Sequence, residues 1–258
     1  MDKRINIAVC FYGQVRFLEA FNLFYKKLNG VSDKIKFHFY IATWKDFDHS
    51  KIKIPFERFY YGNEQDVTEK WKEGNTQKMS YLAYKVGQLK KDYEVQNDFC
   101  YDYTLLIRPD VFFDKLEMFK FLDKLHGKVY DRPTVFSGDS IIMEDNMYKI
   151  HSDWIFLFTP EAFDIHYNFY SFFYLNQKWK KLPIRYVEGG HWIHAYYFKY
   201  NNFIVEQLPV SNTLIRPKFE LQFFINNIEN KEFFSELKKF RSNLSIDENN
   251  ENFKNRTV

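Results

Sequence analysis

The sequence predicts an α/β domain built on a largely parallel sheet. Two observations carry that expectation. Strand-like and helical segments alternate from the first residues onward, and the strand-like ones are short apolar runs rich in β-branched and aromatic residues. A third observation bounds it. The chain has 258 residues, 45% of them hydrophobic and 28% charged, which suits one generous soluble globular domain with a sizeable core and no internal repeat.

The elements follow in order. INIAVCFY (5–12) reads as a buried strand stopped by Gly13. Phe17, Leu18, Phe21, Phe24, Tyr25 and Leu28 recur at helical spacing up to Gly30. IKFHFYIATW (35–44) is a second strand running into polar residues, and FERFYYG (56–62) a third. The plainest helix covers 76–94, where Met79, Leu82, Ala83, Val86 and Leu89 form one stripe. YTLLI (103–107) is a strand, broken by Arg108-Pro109-Asp110, and a helical pattern follows through Leu125. TVFSGDSIIM (134–143) reads as one interrupted strand and WIFLF (154–158) as another, after which Pro160 opens a helix. Beyond Pro183 a strand passes into a helix at Gly189-Gly190, then come the strand FIVEQ (203–207) and one or two closing helices over 218–240. Residues 1–241 are expected to form one domain in two halves, about 1–140 and about 141–241. From 242 to 258 the chain is polar and rich in Asn and Glu, and reads as a loose tail.

Composition also excludes functions. Formal charge is +3, from 37 basic and 34 acidic residues, too even for a general nucleic-acid binder. Lysine pairs such as Lys90-Lys91 read as solvated helix faces. The two cysteines, Cys10 and Cys100, are far apart and make no CxxC pair, which argues against structural zinc and for a reducing, cytoplasmic setting. No apolar run is long enough to span a bilayer, and peripheral membrane contact stays open. The aromatic share of 21%, with 30 Phe and 19 Tyr, reads mainly as the codon bias of an AT-rich genome and less as a stacking surface for sugars or bases.

Polar residues gather where the strands stop: Gly13 to Arg16, Thr43-Trp44-Lys45-Asp46, Arg108-Pro109-Asp110 and Gly138-Asp139. In an open α/β sheet the ligand site lies outside the carboxyl ends of the strands. Proline holds the residue before it in an extended backbone, and side chains two apart on a strand share a face, so Arg108 and Asp110 point the same way. Asp110 could hold a hard divalent cation beside a phosphate, or could close the strand as an ion pair with Arg108.

The succession IAVCFYGQVR, FYIATWKD, a helix with Gln77 near its start, and YDYTLLIRPDVFF resembles a group of bacterial and viral glycosyltransferases of the GT-A type. Their pattern runs Gly-x-x-Arg, a Trp with a neighbouring acid, and Arg-x-Asp at successive strand ends. HSDWIFLFTPEAFD (151–164) and VEGGHWIHAYYFKYN (187–201) look like the group's later segments, so the resemblance covers about residues 5 to 205. It implies a GT-A-like, Rossmann-like nucleotide-diphospho-sugar transferase fold with a mixed, mainly parallel sheet. It implies a nucleotide-sugar donor held near Tyr12, Gly13, Arg16, Thr43, Trp44, Gln77, Arg108 and Asp139, and a glycan acceptor, as in surface polysaccharide synthesis. Most GT-A enzymes hold Mn2+ or Mg2+ with Asp-x-Asp, but here Arg108 replaces the first acid. Either Asp110 reaches a metal with help from Asp139 or a histidine, or Arg108 itself supplies positive charge.

Glycosyl transfer places negative charge on the leaving diphosphate, which a cation or arginine stabilises. An inverting enzyme also needs a carboxylate to take the acceptor's proton, and Asp153 and Glu188 are the candidates. Each could equally be a cap or a helix-start carboxylate, while His191 and His194, nearly on one helical face, read as packing. Two other readings compete. A nucleotidyltransferase would carry a glycine-rich loop after its first strand, where this chain has Gly13 alone. A non-catalytic glycan- or nucleotide-binding protein has little use for arginines and aspartates collected at strand ends.

Overall fold

The computed structural model describes residues 4–28, 32–45, 48–68, 74–138, 141–144, 147–150, 154–176, 190–215, 218–227, 230, 232–237 and 239. In chain order its elements are β1 (Ile5–Tyr12), α1 (Leu18–Tyr25), β2 (Ile35–Trp44), β3 (Phe56–Gly62), α2 (Gln65–Thr68), α3 (Gly74–Asn97), β4 (Tyr103–Ile107), β5 (Val111–Phe113) and α4 (Lys115–Leu125). There follow β6 (Thr134–Ser137), β7 (Ile141–Glu144), β8 (Met147–Ile150), β9 (Ile155–Phe158), α5 (Pro160–His166), α6 (Gly190–Tyr200), β10 (Ile204–Gln207), β11 (Asn212–Leu214) and α7 (Lys218–Asn227).

Seven strands form the main sheet in the order β10-β6-β9-β4-β1-β2-β3. β9 runs antiparallel to both its neighbours, and every other pairing is parallel. This is the mixed, mainly parallel sheet flanked by helices that the sequence predicts. Its middle strand explains the pattern. Ile7, Ala8, Val9, Cys10 and Phe11 of β1 are all fully buried, because helices cover both faces. Ile7, Val9 and Phe11 pack on the side of α1, α4 and α7, while Ala8, Cys10 and Tyr12 pack on the side of α3, α5 and α6. Most aromatic rings belong to these two layers: Phe11, for example, meets Phe21 at 4.9 Å and Tyr25 at 4.6 Å between centroids, edge to face.

Helix starts follow local chemistry. The Asp114 carboxylate accepts the Glu117 N–H at 2.9 Å to cap α4, and α5 opens with Pro160 in its first turn. Lys90 departs from the expected solvated face. It is 2% exposed, lies 4.7 Å from the Phe163 ring centre and pairs with Glu94 at 2.9 Å. One turn of α3 presses on the sheet there, so the lysine brings its counter-ion with it. Lys91 does reach the surface, where it pairs with Asp164 at 2.7 Å.

Three further departures concern strands. TVFSGDSIIM is not one strand: Thr134–Ser137 belongs to the main sheet, while Ile141–Glu144 pairs with Met147–Ile150 in a separate hairpin. The residues directly after the Arg-Pro-Asp break form β5, which pairs antiparallel with β11, and sequence periodicity signals neither three-residue strand. WIFLF runs against its neighbours. The strand expected after Pro183 and the tail from Ser242 lie outside the described residues. No helix among the described residues is long and apolar enough to cross a membrane.

Beneath α5 and α6, His194 packs as expected, stacked on Phe169 at 4.4 Å, with its Nδ1 3.4 Å from His166 Nε2. Burial first, and the neighbouring His194 second, push the His166 imidazole well below its ordinary value. The unfolded chain therefore binds a proton below about pH 6.5 that the folded one refuses. Stability from this site is present above that pH and is lost as pH falls, with a limiting slope of about 1.4 kcal/mol per pH unit. Lowering the pH from 7 to 5 should depress the melting temperature, and His166→Phe should make the curve shallower. Parallel curves for the two proteins would rule this out.

Candidate functional site

Parallel registers bring strand ends to one level. Tyr12 pairs with Ala42, Phe11 with Ile107 and Trp44 with Gly62. The chain winds from β1 through β2 to β3 on one side, then crosses back to place β4 on the other side of β1. The gap between β1 and β4 is thus the topological switch point, where an open sheet leaves a crevice. β9 enters at the same rim, since the Arg108 N–H donates to the Trp154 carbonyl at 3.0 Å and the Gly138 N–H to the Ile155 carbonyl at 3.1 Å.

The break after β4 is fixed on several sides. The Val111 N–H donates to the Arg108 carbonyl at 3.1 Å, and the Ile215 N–H to the Asp110 carbonyl at 3.1 Å. The Tyr25 hydroxyl donates to the Val111 carbonyl at 2.6 Å. Burial, with the Asp110 charge second, holds that phenol well above its usual value and keeps it a donor. On this anchored turn, Arg108 Nε donates to Asp110 Oδ1 at 3.0 Å and Nη2 to Oδ2 at 2.8 Å, a two-pronged contact. Asp110 is 1% exposed and Arg108 16%. Arg16, 47% exposed, reaches in from the loop after β1 to place Nη1 3.8 Å from Asp110 Oδ2.

These groups border a cleft of about 270 Å³. Gln14, Arg16 and Arg108 form one wall, Lys78 and Met79 of α3 another, and Trp44 and Glu64 complete it. Lys78 and Glu64 are ion-paired. Trp44 lies parallel to Tyr81, with ring centres 6.2 Å apart and planes 2° apart, and the Tyr81 hydroxyl is 3.1 Å from that of Tyr60.

The structure brings Arg16, Trp44, Arg108 and Asp110 together, with Tyr12 and Gly13 beneath them. It sends two other expected donor contacts elsewhere. Gln77 is 2% exposed and lies near the Tyr170 hydroxyl; its neighbour Lys78 lines the cleft instead, a one-residue difference in helical phase that periodicity does not resolve. Thr43 is fully buried and alternates to the opposite face from Trp44, and its hydroxyl has no hydrogen-bond partner among the described residues. Asp46, Asp139, Asp153 and Glu188 lie outside the described residues. Sequence reasoning missed Gln14, Glu64, Lys78 and Met79. Gln14 stood inside the quoted Gly-Gln-Val-Arg run, whereas the other three carry no local signal.

The donor set bears on the metal expectation. Both Asp110 oxygens face guanidinium groups, and Glu64, the other described carboxylate here, is paired with Lys78. The described side chains do not fit a hard dication, which binds through one or two carboxylates that it would here have to share with arginine or lysine.

No family model and no curated protein matches the chain. Solved structures similar to it include 4-diphosphocytidyl-2C-methyl-D-erythritol synthase from Anaerococcus prevotii DSM 20548, at 13% identity, covering 89% of this chain and 97% of that one, with a TM-score of 0.49. A glycosyltransferase involved in glycosylation of the major capsid of PBCV-1 is similar at 11% identity over 79% of this chain and 82% of that one, TM-score 0.39. Galactosyltransferase LgtC, in complex with donor and acceptor sugar analogues, is similar at 11% identity over 78% and 73%, TM-score 0.46. At these identities and scores the likeness concerns the path of the chain and not its chemistry.

Gly13 connects fold and cleft. Its φ is +115°, and an added Cβ would lie 2.7 Å from the Met79 methyl. That methyl ends a flexible side chain and can move, so the backbone conformation is the larger obstacle. Gly13→Ala should cost more than about 1 kcal/mol in chemical denaturation, and adding Met79→Ala should recover little of it. Full recovery by the double variant would show that crowding was the cause.

Proposed function

We propose that the chain is a glycosyltransferase that moves a sugar from a nucleotide-sugar donor to a hydroxyl of a glycan acceptor, in cytoplasmic steps of surface polysaccharide or glycan synthesis. The observation that carries this reading is the meeting of Arg16, Arg108 and Lys78 around one cleft at the switch point of the sheet. Three cations border a crevice whose one lining carboxylate among the described residues is Glu64, with Asp110 buried behind the two arginines, an arrangement that leaves net positive charge for an anion.

The chemistry needs that arrangement. The bond between the anomeric carbon and the diphosphate oxygen breaks, and its electrons leave with the phosphate. The guanidinium of Arg108, already oriented, stabilises that charge without reorganising at the moment of reaction. Arg16, more exposed, closes on the phosphates from the loop after β1. Trp44, braced by Tyr81, offers an apolar wall for the rest of the donor. The acceptor oxygen bonds to the anomeric carbon and gives its proton to a carboxylate, for which Asp153 and Glu188 remain our candidates. Asp153 directly precedes Trp154, whose carbonyl accepts from Arg108.

Thermal-shift measurements with nucleoside diphosphates, nucleoside triphosphates and nucleotide sugars test this reading, followed by sugar-release and transfer assays. One nucleotide, as the diphosphate and as its sugar conjugate, should raise the melting temperature. Arg108→Ala should lower kcat/KM by about a hundredfold or more, and Asp153→Asn or Glu188→Gln should lower kcat by a similar factor. Stabilisation by a triphosphate alone, with release of pyrophosphate, would make the chain a nucleotidyltransferase. No response to any nucleotide would remove the enzymatic reading.

A further inference from the structure

We infer that the cleft grips its diphosphate without a metal ion, and that Asp110 serves as a positioning residue for Arg108 rather than as a metal ligand. The inference rests on reading the cleft as the donor-phosphate site and concerns what neutralises the phosphates there.

Geometry leads the argument. The Asp110 carboxylate has two oxygens, and Arg108 takes both through a planar fork at 3.0 and 2.8 Å. Pro109 lies between the two residues, so the spacing that forms the fork is built into the backbone. A cation on an Asp110 oxygen would have to share that oxygen with the guanidinium, at the lone pair the fork leaves over. Asp110 is also 1% exposed, while a small hard dication keeps several of its waters and needs room for them.

Charge points the same way. Arg16 is 3.8 Å from the same carboxylate, and Lys78 stands across the cleft. With Glu64 paired to Lys78 and Asp110 to the two arginines, these groups keep one net positive charge, so a dication would meet net repulsion before any phosphate arrived, whereas a diphosphate would meet attraction. The guanidinium holds its N–H donors in a fixed plane, is oriented by Asp110, and lines the cleft wall. Asp110 therefore sets the plane of Arg108 and balances part of its charge while the cleft is empty. It need not touch the phosphate itself.

Calorimetric titration of inorganic pyrophosphate into the full chain, stripped with EDTA and then supplied with Mg2+ or Mn2+, tests this directly. Pyrophosphate should bind in EDTA, and the divalent ion should change its Kd by less than about threefold. Arg16→Gln, at an exposed position, should weaken binding by about tenfold, equivalent to 1.4 kcal/mol. Asp110→Asn should weaken it similarly at a temperature where its own melting curve shows it folded. Binding that appears only with the metal and disappears in Asp110→Asn would make Asp110 a ligand and overturn the inference. A variant that melts earlier yet binds pyrophosphate normally would reduce Asp110 to a structural pair, with the same consequence. Metal-free pyrophosphate binding without turnover of any nucleotide sugar would leave this inference standing and defeat the proposed activity, and metal-dependent turnover would do the reverse.

Discussion

Parallel pairing of β1 with both β2 and β4 is the constraint on which the rest of the molecule depends. Because the three strands run the same way and in matched register, their ends surface at one level. Because the winding reverses at β1 and β4, their seam is a switch point, where an open sheet leaves a crevice. Every polar group at the rim inherits its position from this arrangement. Arg16 follows β1 by a short loop, and Arg108 and Asp110 follow β4 directly. A register slip of one residue would turn their side chains to the other face of the sheet, so burial of Ile7 through Phe11 on both sides also aims the charges.

A second layer of support comes from the opposite wall. α3 carries Lys78 and Met79 into the cleft near its start and is held to the sheet further along by Leu82, Val86 and the buried Lys90. Lys90 is enclosed by aromatic rings and anchored by Glu94, whose carboxylate also accepts the Tyr101 N–H at 3.1 Å. Such a pair adds little net stability over a well-packed apolar substitute. What it does is tie one helix to the stretch leading into β4, the strand whose end carries Arg108. The two walls of the cleft are thereby coupled through the core beneath it.

Much of this was legible in the sequence, and the reasons differ by element. Strands buried on both faces announce themselves as short apolar runs, so β1, β2, β4 and β9 could be found, and a strand that stops at an arginine, a proline and an aspartate marks a rim. The orientation of β9 was not legible, since an apolar run has no direction. Nor were β5 and β11, which are too short to show a period and exist because the segment after Gln207 returns to pair beside the break. Helical phase was legible to about one residue, enough to bring α3 to the cleft but not enough to separate Gln77 from Lys78. Asp110 was legible as a candidate from its place at a strand end, and the structure does put it at the rim. Whether such a group faces a cation or a guanidinium depends on two distances, which only coordinates contain.

The backward course of β9 has one more consequence. The chain leaves the sheet at Gly138 and re-enters at Trp154, on the same rim and within a hydrogen bond of its departure point. Any segment strung between two such neighbouring posts can lengthen, shorten or be exchanged at small entropic expense while every core strand stays as it was. Related chains could therefore vary at this border while the charges that follow β1 and β4 keep their places.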